Sequence, residues 1–160
     1  MTTGTKVLID GIVDAITTVI NTNKVALGVG GVEERAEDPA VLDKVRQYGG
    51  YCYVIPLAEG RDRMDNMQGG TKDMYHNFSI NVTSYFDSTA TIRSSGGLTS
   101  SLRATRDLGY DLIDKFNGND NQVGLGYIYR FELEQGYYEI ADKIITTYNV
   151  KFYIKVLDTS

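Results

Sequence analysis

The chain of 160 residues holds one histidine and one cysteine, and this limits its options for nucleophilic chemistry. A Cys-His or Ser-His-Asp arrangement would have to use His76, which lies beside Tyr75 at the start of a strand-like segment. Cys52 lies in an apolar run, where a lone cysteine is typical of a small buried side chain. Nothing in the spacing brings the two together, and a tetrahedral zinc site would lack ligands. We therefore expect a protein that is not an enzyme.

Three aspartates in the segment 60–73 are the best candidates for binding magnesium or calcium, namely Asp62, Asp65 and Asp73. Their spacing matches no calcium-loop template, and basic residues interrupt them. The run 117–121 resembles a calcium loop in composition only, and it fits a helix end followed by a turn. A solvated surface is the simpler interpretation of both segments. The sequence predicts no bound metal and no cofactor.

Two further patterns could bind phosphate groups. The run Gly28-Val-Gly-Gly-Val-Glu lacks the third glycine of a dinucleotide-binding loop and the Lys-Ser/Thr ending of a P-loop, so it predicts backbone turns. Arg93, Arg103 and Arg106 could contact phosphates, but neighbouring aspartates favour surface ion pairs. The net charge of −5 also argues against general nucleic-acid binding, which needs a basic face.

The composition is that of one globular domain spanning residues 1–160, with 42% hydrophobic and 23% charged residues. A lone cysteine forms no internal disulfide, so no oxidising compartment is needed. The first residues lack the basic start and apolar stretch of a signal peptide, and no run is apolar enough to span a membrane. These features predict a cytoplasmic location. The 12 tyrosines suit half-buried strands and contact surfaces.

Hydrophobic periodicity predicts the main elements. Helical spacing is found over about 5–21 and 98–117, and strand patterns over 51–57, 75–86, 125–133 and 150–156. Asp38-Pro39 favours a further helix over about 39–48. Residues 25–31 form a short strand or a loop, and residues 139–147 either extend a hairpin or form a loop. The segment 60–73 has no regular period and is predicted to be a long polar loop.

Together these elements predict an α+β fold. The N-terminal helix and the long central helix are expected to pack on a mixed or antiparallel sheet of about four to five strands.

The order and texture of these elements resemble those of the tail terminator, or tail completion, proteins of long-tailed bacteriophages such as lambda. The closing run Asn149-Val-Lys-Phe-Tyr-Ile-Lys-Val looks like the last strand of that family, whereas the segment 28–49 is extra. The resemblance implies a structural virion protein of the tail or neck, assembled in the host cytoplasm.

Such proteins form a hexameric ring that caps the tail tube and joins the tail to the head. The partners implied are other copies of the chain, the tail tube protein and the head-tail connector. DNA passes through the lumen without specific binding, which suits an acidic chain. The segment 60–73 would then be an assembly loop that reaches a neighbouring subunit or the tube. Its expected contact residues are Arg61, Arg63, Met64, Met67 and Lys72.

Three other interpretations remain open. Tail tube proteins also form rings and combine a sheet, a helix and a long loop. Head-tail connector or head completion proteins are more helical. From a different class, an α+β domain could bind a small ligand or act as an enzyme through a pocket of tyrosine and arginine that carries no recognisable motif.

Overall fold

The computed structural model describes residues 5–34, 45, 47–63, 74–91, 96–117, 121–124, 126–140 and 143–158. Two helices lie wholly within these residues, α1 (Thr5–Thr22) and α2 (Gly97–Asn117). The strands are β1 (Val32–Glu34), β2 (Gly50–Arg63), β3 (Met74–Thr91), β4 (Gln122–Val123), β5 (Gly126–Ile140) and β6 (Lys143–Asp158).

The strands form one mixed sheet in the order β1-β2-β3-β6-β5-β4. β1 pairs with β2 in parallel, and all other pairs are antiparallel. The predicted α+β class is confirmed, with six strands rather than four to five. The additional strands, β1 and β4, are three and two residues long, too short for an alternating pattern to be recognised.

Helix α1 has the apolar face that the sequence predicts. Ile12, Ile16 and Ile20 are buried with Val13 against the sheet, while Asp10 and Asp14 point to solvent. The helix ends at Thr22, and the next residue, Asn23, caps it. The carbonyl of Val19 accepts hydrogen bonds from the backbone N–H of Asn23 at 3.2 Å and from its Nδ2 at 2.8 Å.

Helix α2 comes close to the sheet at Gly109, where a larger residue would need Leu133 to shift. A Cβ atom on Gly109 would lie 2.8 Å from Cδ1 of Leu133 on β5, closer than carbon atoms pack. One turn earlier, the buried hydroxyls of Thr105 and Thr146 are hydrogen-bonded at 2.7 Å. Leu112 and Phe116 complete the buried stripe of the helix.

Four strands are longer than their patterns predict, and one of them, β2, runs into the segment that was predicted to be a loop. β3 continues to Thr91, while β5 and β6 extend to meet at Ile140 and Lys143 in a long antiparallel hairpin. Of the two alternatives for residues 139–147, the structure therefore has the hairpin. The apolar alternation is interrupted there, because Gly136 has low strand propensity and because Gln135, Thr146 and Thr147 are polar.

The prediction of a loop over 60–73 is wrong for residues 60–63. β2 continues through Arg63, and the register pairs Arg61 with His76 and Arg63 with Met74. Gly60, Arg61 and Asp62 have low strand propensity, but pairing with β3 outweighs it. The rest of that segment, 64–73, lies outside the described residues.

The structure describes all of residues 25–31 but only a small part of the helix predicted over 39–48. Of the two alternatives for residues 25–31, a short strand or a loop, residues 25–28 form turns, and Gly28 there has a φ of 71° that favours glycine. Pairing begins at Val32. Of the helix predicted over 39–48, the described residues 45, 47 and 48 are helical, and 39–44 and 46 lie outside the described part.

Candidate assembly surface

The two faces of the sheet differ in chemistry. We call the face under α1 and α2 the covered face, because its side chains join both helices in one buried cluster. On β6 this face carries Tyr148, Val150, Phe152 and Ile154, all within 1% of complete burial. The intervening residues point to the other side, which we call the open face. Neither α1 nor α2 covers the open face.

Strand register assembles the open face from four strands. Residues that face each other in a ladder point to the same side of the sheet, so the register brings the outward residues of neighbouring strands together. Their side chains are largely polar or aromatic. The central positions are Asn81, Thr83 and Tyr85 on β3, Thr147, Asn149, Lys151, Tyr153 and Lys155 on β6, and Arg130, Glu132, Glu134 and Tyr138 on β5.

One end of the open face is buried. Tyr51, Tyr53 and Tyr85 lie here with Ile145 under Val45, in a second buried cluster. The Tyr51 hydroxyl donates a hydrogen bond to Glu33 Oε1 at 2.7 Å. Burial, reinforced by this bond to Glu33, raises the pKa of Tyr51 above its usual value. This end therefore behaves as core.

The other end carries cations stacked on tyrosine rings. We call Tyr129, Arg130, Lys151, Tyr153 and Lys155 the tyrosine–lysine cluster. The guanidinium of Arg130 and the ammonium of Lys151 lie 5.3 Å and 5.2 Å from the centroid of the Tyr153 ring. Lys155 Nζ lies 5.0 Å from the Tyr129 ring, whose centroid is 6.1 Å from that of Tyr153. These contacts fix cation positions at exposed sites.

Glu132 ties together two members of the tyrosine–lysine cluster. Its Oε1 forms an ion pair with Arg130 Nη2 at 2.7 Å, and its Oε2 accepts a hydrogen bond from the Tyr153 hydroxyl at 3.0 Å. This end of the open face therefore combines charged groups of both signs with tyrosine rings, a composition that can give specificity to a contact with a partner.

Between the two ends runs a groove of about 540 Å³. Its floor is made of amides and hydroxyls, and Thr83 Oγ1 donates to Asn149 Oδ1 at 3.2 Å. Its walls include Glu134 and the stacked rings of Tyr85 and Tyr138, whose centroids are 6.4 Å apart. Within the described ranges, Glu134 has no ion-pair partner. The groove thus offers a carboxylate and aromatic faces, which suit a cation.

Strand β5 borders this surface as an edge strand. Among the described residues only β4 pairs with its outer side, and that ladder stops at Tyr127. Tyr127, Tyr129, Tyr137 and Tyr138 on this strand are each 42% to 52% exposed. An edge of unpaired backbone groups with large exposed rings is a place where another chain can bind.

The residues considered for catalysis do not form a site. Cys52 is buried on the covered face, where Ser84 Oγ donates to its sulfur at 3.3 Å, and burial raises the pKa of its thiol to about 12. The register places Cys52 opposite Ser84, eight residues along β3 from His76, or about 26 Å at the rise of an extended strand. Cys52 is therefore a protonated core residue, as its apolar run predicts.

Among the described residues, no group of three acidic, histidine or cysteine side chains is placed to hold a metal ion. Of the three candidate aspartates, Asp62 lies on β2 opposite Tyr75, and Asp65 and Asp73 lie outside the described part. No described helix is long and apolar enough to cross a membrane.

The predicted contact residues of segment 60–73 divide into two groups. Arg61 and Arg63 belong to the far end of the β2–β3 hairpin, while Met64, Met67 and Lys72 lie outside the described residues. The sequence predicts alternating strands with tyrosines suited to contact surfaces, but it does not predict which residues meet on the open face, because they come from four strands whose register was unknown. The alternating tyrosines and lysines of β6 were the available signal.

No known protein-family model matches the chain, and no curated protein matches it.

Proposed function

We propose that this chain is a structural virion protein, a ring-forming tail terminator that caps the tail tube of a long-tailed bacteriophage and joins tail to head. It would form a homo-oligomer, a hexameric ring, and bind the tail tube protein on one side and the head-tail connector on the other. DNA would pass through the lumen without specific binding. The protein would be assembled in the host cytoplasm and reside in the virion.

The asymmetry of the sheet is the observation that carries this proposal. Two helices seal one face. The other face has the partly exposed tyrosine–lysine cluster and, among the described residues, ends at an unpaired edge of β5. Large exposed tyrosines and arginine are enriched at protein interfaces. A domain whose core is complete on one side of the sheet, and whose other side carries tyrosines and charged side chains suited to protein contacts, fits a subunit of an assembly.

The chemistry of the buried residues supports binding rather than catalysis. The thiol of Cys52 is protonated and inaccessible, and it is separated from His76 along the sheet. The order of elements, from α1 through the β2–β3 hairpin to α2 and the β5–β6 hairpin, keeps the layout on which the resemblance to tail terminators rests. Tail tube and head-tail connector proteins are the alternatives within the same class.

A second candidate function comes from the groove. A volume of about 540 Å³ is within the range of small-molecule sites, and its amides, hydroxyls and carboxylate could orient a polar ligand. This favours a small-ligand-binding domain or an enzyme as the alternative from another class. The two functions differ in what they require, because a ring needs self-association and a ligand site does not.

The mass of the purified protein in solution tests the proposal. Light scattering behind a sizing column is expected to give six times the monomer mass of 17.8 kDa, alone or after addition of tail tubes. Negative-stain images of that fraction should show rings with an open centre. A stable monomer that does not bind tail tubes would overturn the proposal. A small ligand that raises the melting temperature of that monomer would then support the groove alternative.

Replacing residues 64–73 by a short turn tests the assembly role of that segment. The pairing of β2 with β3 up to Arg63 and Met74 can be kept, so the domain should remain folded by circular dichroism. We expect the variant to lose binding to tubes or to its own copies. Wild-type assembly by this variant would remove the segment from the contact.

A further inference from the structure

A glycine opens the groove on the side of β5. Glu134, Gly136 and Tyr138 alternate on that strand, so all three belong to the open face. Gly136 pairs with Thr147 of β6, and a Cβ atom added to the glycine would lie 3.4 Å from Thr147 Oγ1. The missing side chain leaves a notch between a carboxylate and an aromatic ring. A larger residue at this position would occupy space that the groove now offers to a ligand.

The groove continues into a second pocket along β5 and β6. That pocket has a volume of about 480 Å³ and shares Asn81, Glu134 and Asn149 with the groove. Beyond these residues, Glu132 and Lys151 line it. The volume of each pocket lies within the range of about 300–1,000 Å³ that is typical of small-molecule sites. The two pockets therefore form one trough with room for more than one ring of a ligand.

The floor of the trough offers neutral hydrogen-bonding groups. Asn149 Oδ1 accepts the hydroxyl of Thr83 at 3.2 Å, which leaves the Nδ2 of this amide as a donor for a ligand. Asn81 Oδ1 is buried and has no hydrogen-bond partner among the described residues. An oxygen in that state costs stability and needs an explanation. Rotation of the amide turns it towards the groove, where a ligand hydroxyl would satisfy it.

The charges along the trough disfavour an ionic ligand. Glu134 and Glu132 would repel an anion. The notch by itself suits a cation, but Lys151 lines the same trough, with Nζ 5.2 Å from the centroid of the Tyr153 ring, and would repel one. A neutral ligand that carries many hydroxyls avoids both penalties. Its hydroxyls can donate to the carboxylates and accept from the amide and ammonium groups.

We propose that the trough binds a neutral sugar of two pyranose rings. One ring would occupy the notch at Gly136, with its C–H face on the ring of Tyr138 and its hydroxyls on Glu134. Tyr138 is 52% exposed, so its ring is accessible to a ligand. The second ring would lie over Asn81 and Asn149. This inference rests on the groove that is the second candidate function, and it applies to a monomer and to a ring subunit alike.

Saturation-transfer NMR with maltose, cellobiose, lactose and N,N′-diacetylchitobiose tests the proposal. The observed signals are those of the ligand, so the measurement works whether the protein is a monomer or a ring. We expect at least one disaccharide to bind, with an affinity by calorimetry at least about tenfold higher than that of its monosaccharides. Absence of binding by the whole set would overturn the proposal. Binding of tetramethylammonium in place of the sugars would identify a cation site instead.

The source of the sugar is separated by a pelleting assay with insoluble cellulose and chitin. Protein that pellets with one of them and is released by its disaccharide binds the rings within a polymer. Protein that binds the disaccharide and does not pellet takes a free sugar.

Filling the notch tests where the first ring lies. Gly136→Val places methyl groups in the notch, and a β-branched residue suits a strand, so the melting temperature should not fall. We expect sugar binding to weaken at least about tenfold. Wild-type affinity in the folded variant would contradict the proposed position of the ligand.

Asn81→Leu tests the floor of the trough. It replaces a buried oxygen that has no partner with an apolar group of similar size, so stability should rise while the affinity for the sugar falls at least about tenfold. Ser79→Ala is the matched control, because Ser79 Oγ is also buried without a partner among the described residues but lines neither pocket. The control should bind sugar like the wild type. Equal affinities for the two variants would refute the role of Asn81.

Light scattering of the same samples keeps this inference apart from the proposed ring. A ring that binds none of the sugars would overturn the sugar site alone. A monomer that binds a sugar and does not bind tail tubes would support the site and overturn the ring.

Discussion

Phe152 and Tyr153 are neighbours on β6, yet they belong to two different environments. Phe152 is fully buried on the covered face, where its ring packs on Phe116 of α2 and Phe131 of β5 with centroids 4.9 Å and 5.2 Å away. Tyr153 lies on the open face among cations. One strand therefore supplies both a stabilising core and a polar contact surface, because successive side chains of a strand point to opposite faces of the sheet.

The largest predicted loss of stability comes from truncating a buried side chain of the covered face. Phe152→Ala removes a buried ring between two elements and should lower the free energy of unfolding by about 3–5 kcal/mol. Urea denaturation measures this change. Tyr153→Ala is the control on the adjacent residue, and it should cost well under half as much. Equal losses for the two variants would mean that the open face is packed as a core.

The close approach of α2 to β5 predicts the next largest effect. Gly109→Val places atoms where Leu133 already lies, so it should destabilise by about 1–3 kcal/mol through overpacking. Thermal unfolding measures the loss. Gly11 in α1 provides the matched control, because a Cβ there meets nothing within 4 Å. Gly11→Ala should stabilise by about 0.5–1 kcal/mol, since alanine is the better helix former. A neutral Gly109→Val would show that α2 can move away from the sheet.

The thiol on the covered face predicts a dependence on alkaline pH. Because burial raises the pKa of Cys52 from 9.0 to about 12, the folded state keeps a proton that the unfolded state loses. The stability from this group is fully present below pH 9 and is lost as the pH rises towards 12. Tyr148, whose pKa burial also raises, adds to the loss above pH 10.

Thermal melts at pH 8, 9 and 10 measure this loss, and Cys52→Ala should show a flatter dependence between pH 9 and 10. The native thiol should also react with a thiol reagent at least about a hundredfold more slowly than the unfolded chain. Rapid labelling of the native protein would contradict the burial of Cys52.

The smallest effect is expected on the open face. Tyr153→Phe removes only the hydroxyl that donates to Glu132 at 3.0 Å, at a partly exposed site, so stability should change by less than about 1 kcal/mol. The ring and its cation contacts remain. Urea denaturation measures the change, and a loss above 2 kcal/mol would mean that this hydrogen bond belongs to a structural network.

The sequence predicts the helices well and the strands less well, for physical reasons. The apolar spacing of Ile12, Ile16 and Ile20 repeats over several turns, so the bounds of α1 are predicted within a residue or two. β5 and β6 lose their alternation around Gln135 and Thr146, where cross-strand pairing rather than apolar pattern holds the backbone extended.

The candidate surface is harder to predict than the fold. Glu134 and Asn149 meet because the ladder of β5 with β6 has one particular register, and a bulge between Ile128 and Arg130 shifts that register along the same strand. A shift of one residue would move every tyrosine and lysine of the cluster to the opposite face. The sequence therefore gives the types of the side chains, but it does not show which of them are in contact.

The ladder between β3 and β6 also has a consequence for how the chain folds. It lies in the middle of the sheet, yet it joins residues as distant in sequence as Val82 and Val150. During synthesis, the second edge of β3 cannot be paired until β6 has left the ribosome. Contacts of such long range slow folding, so we expect the two hairpins to form early and to dock late. Chains truncated before β6 would expose the unpaired edge of β3 and be prone to aggregation.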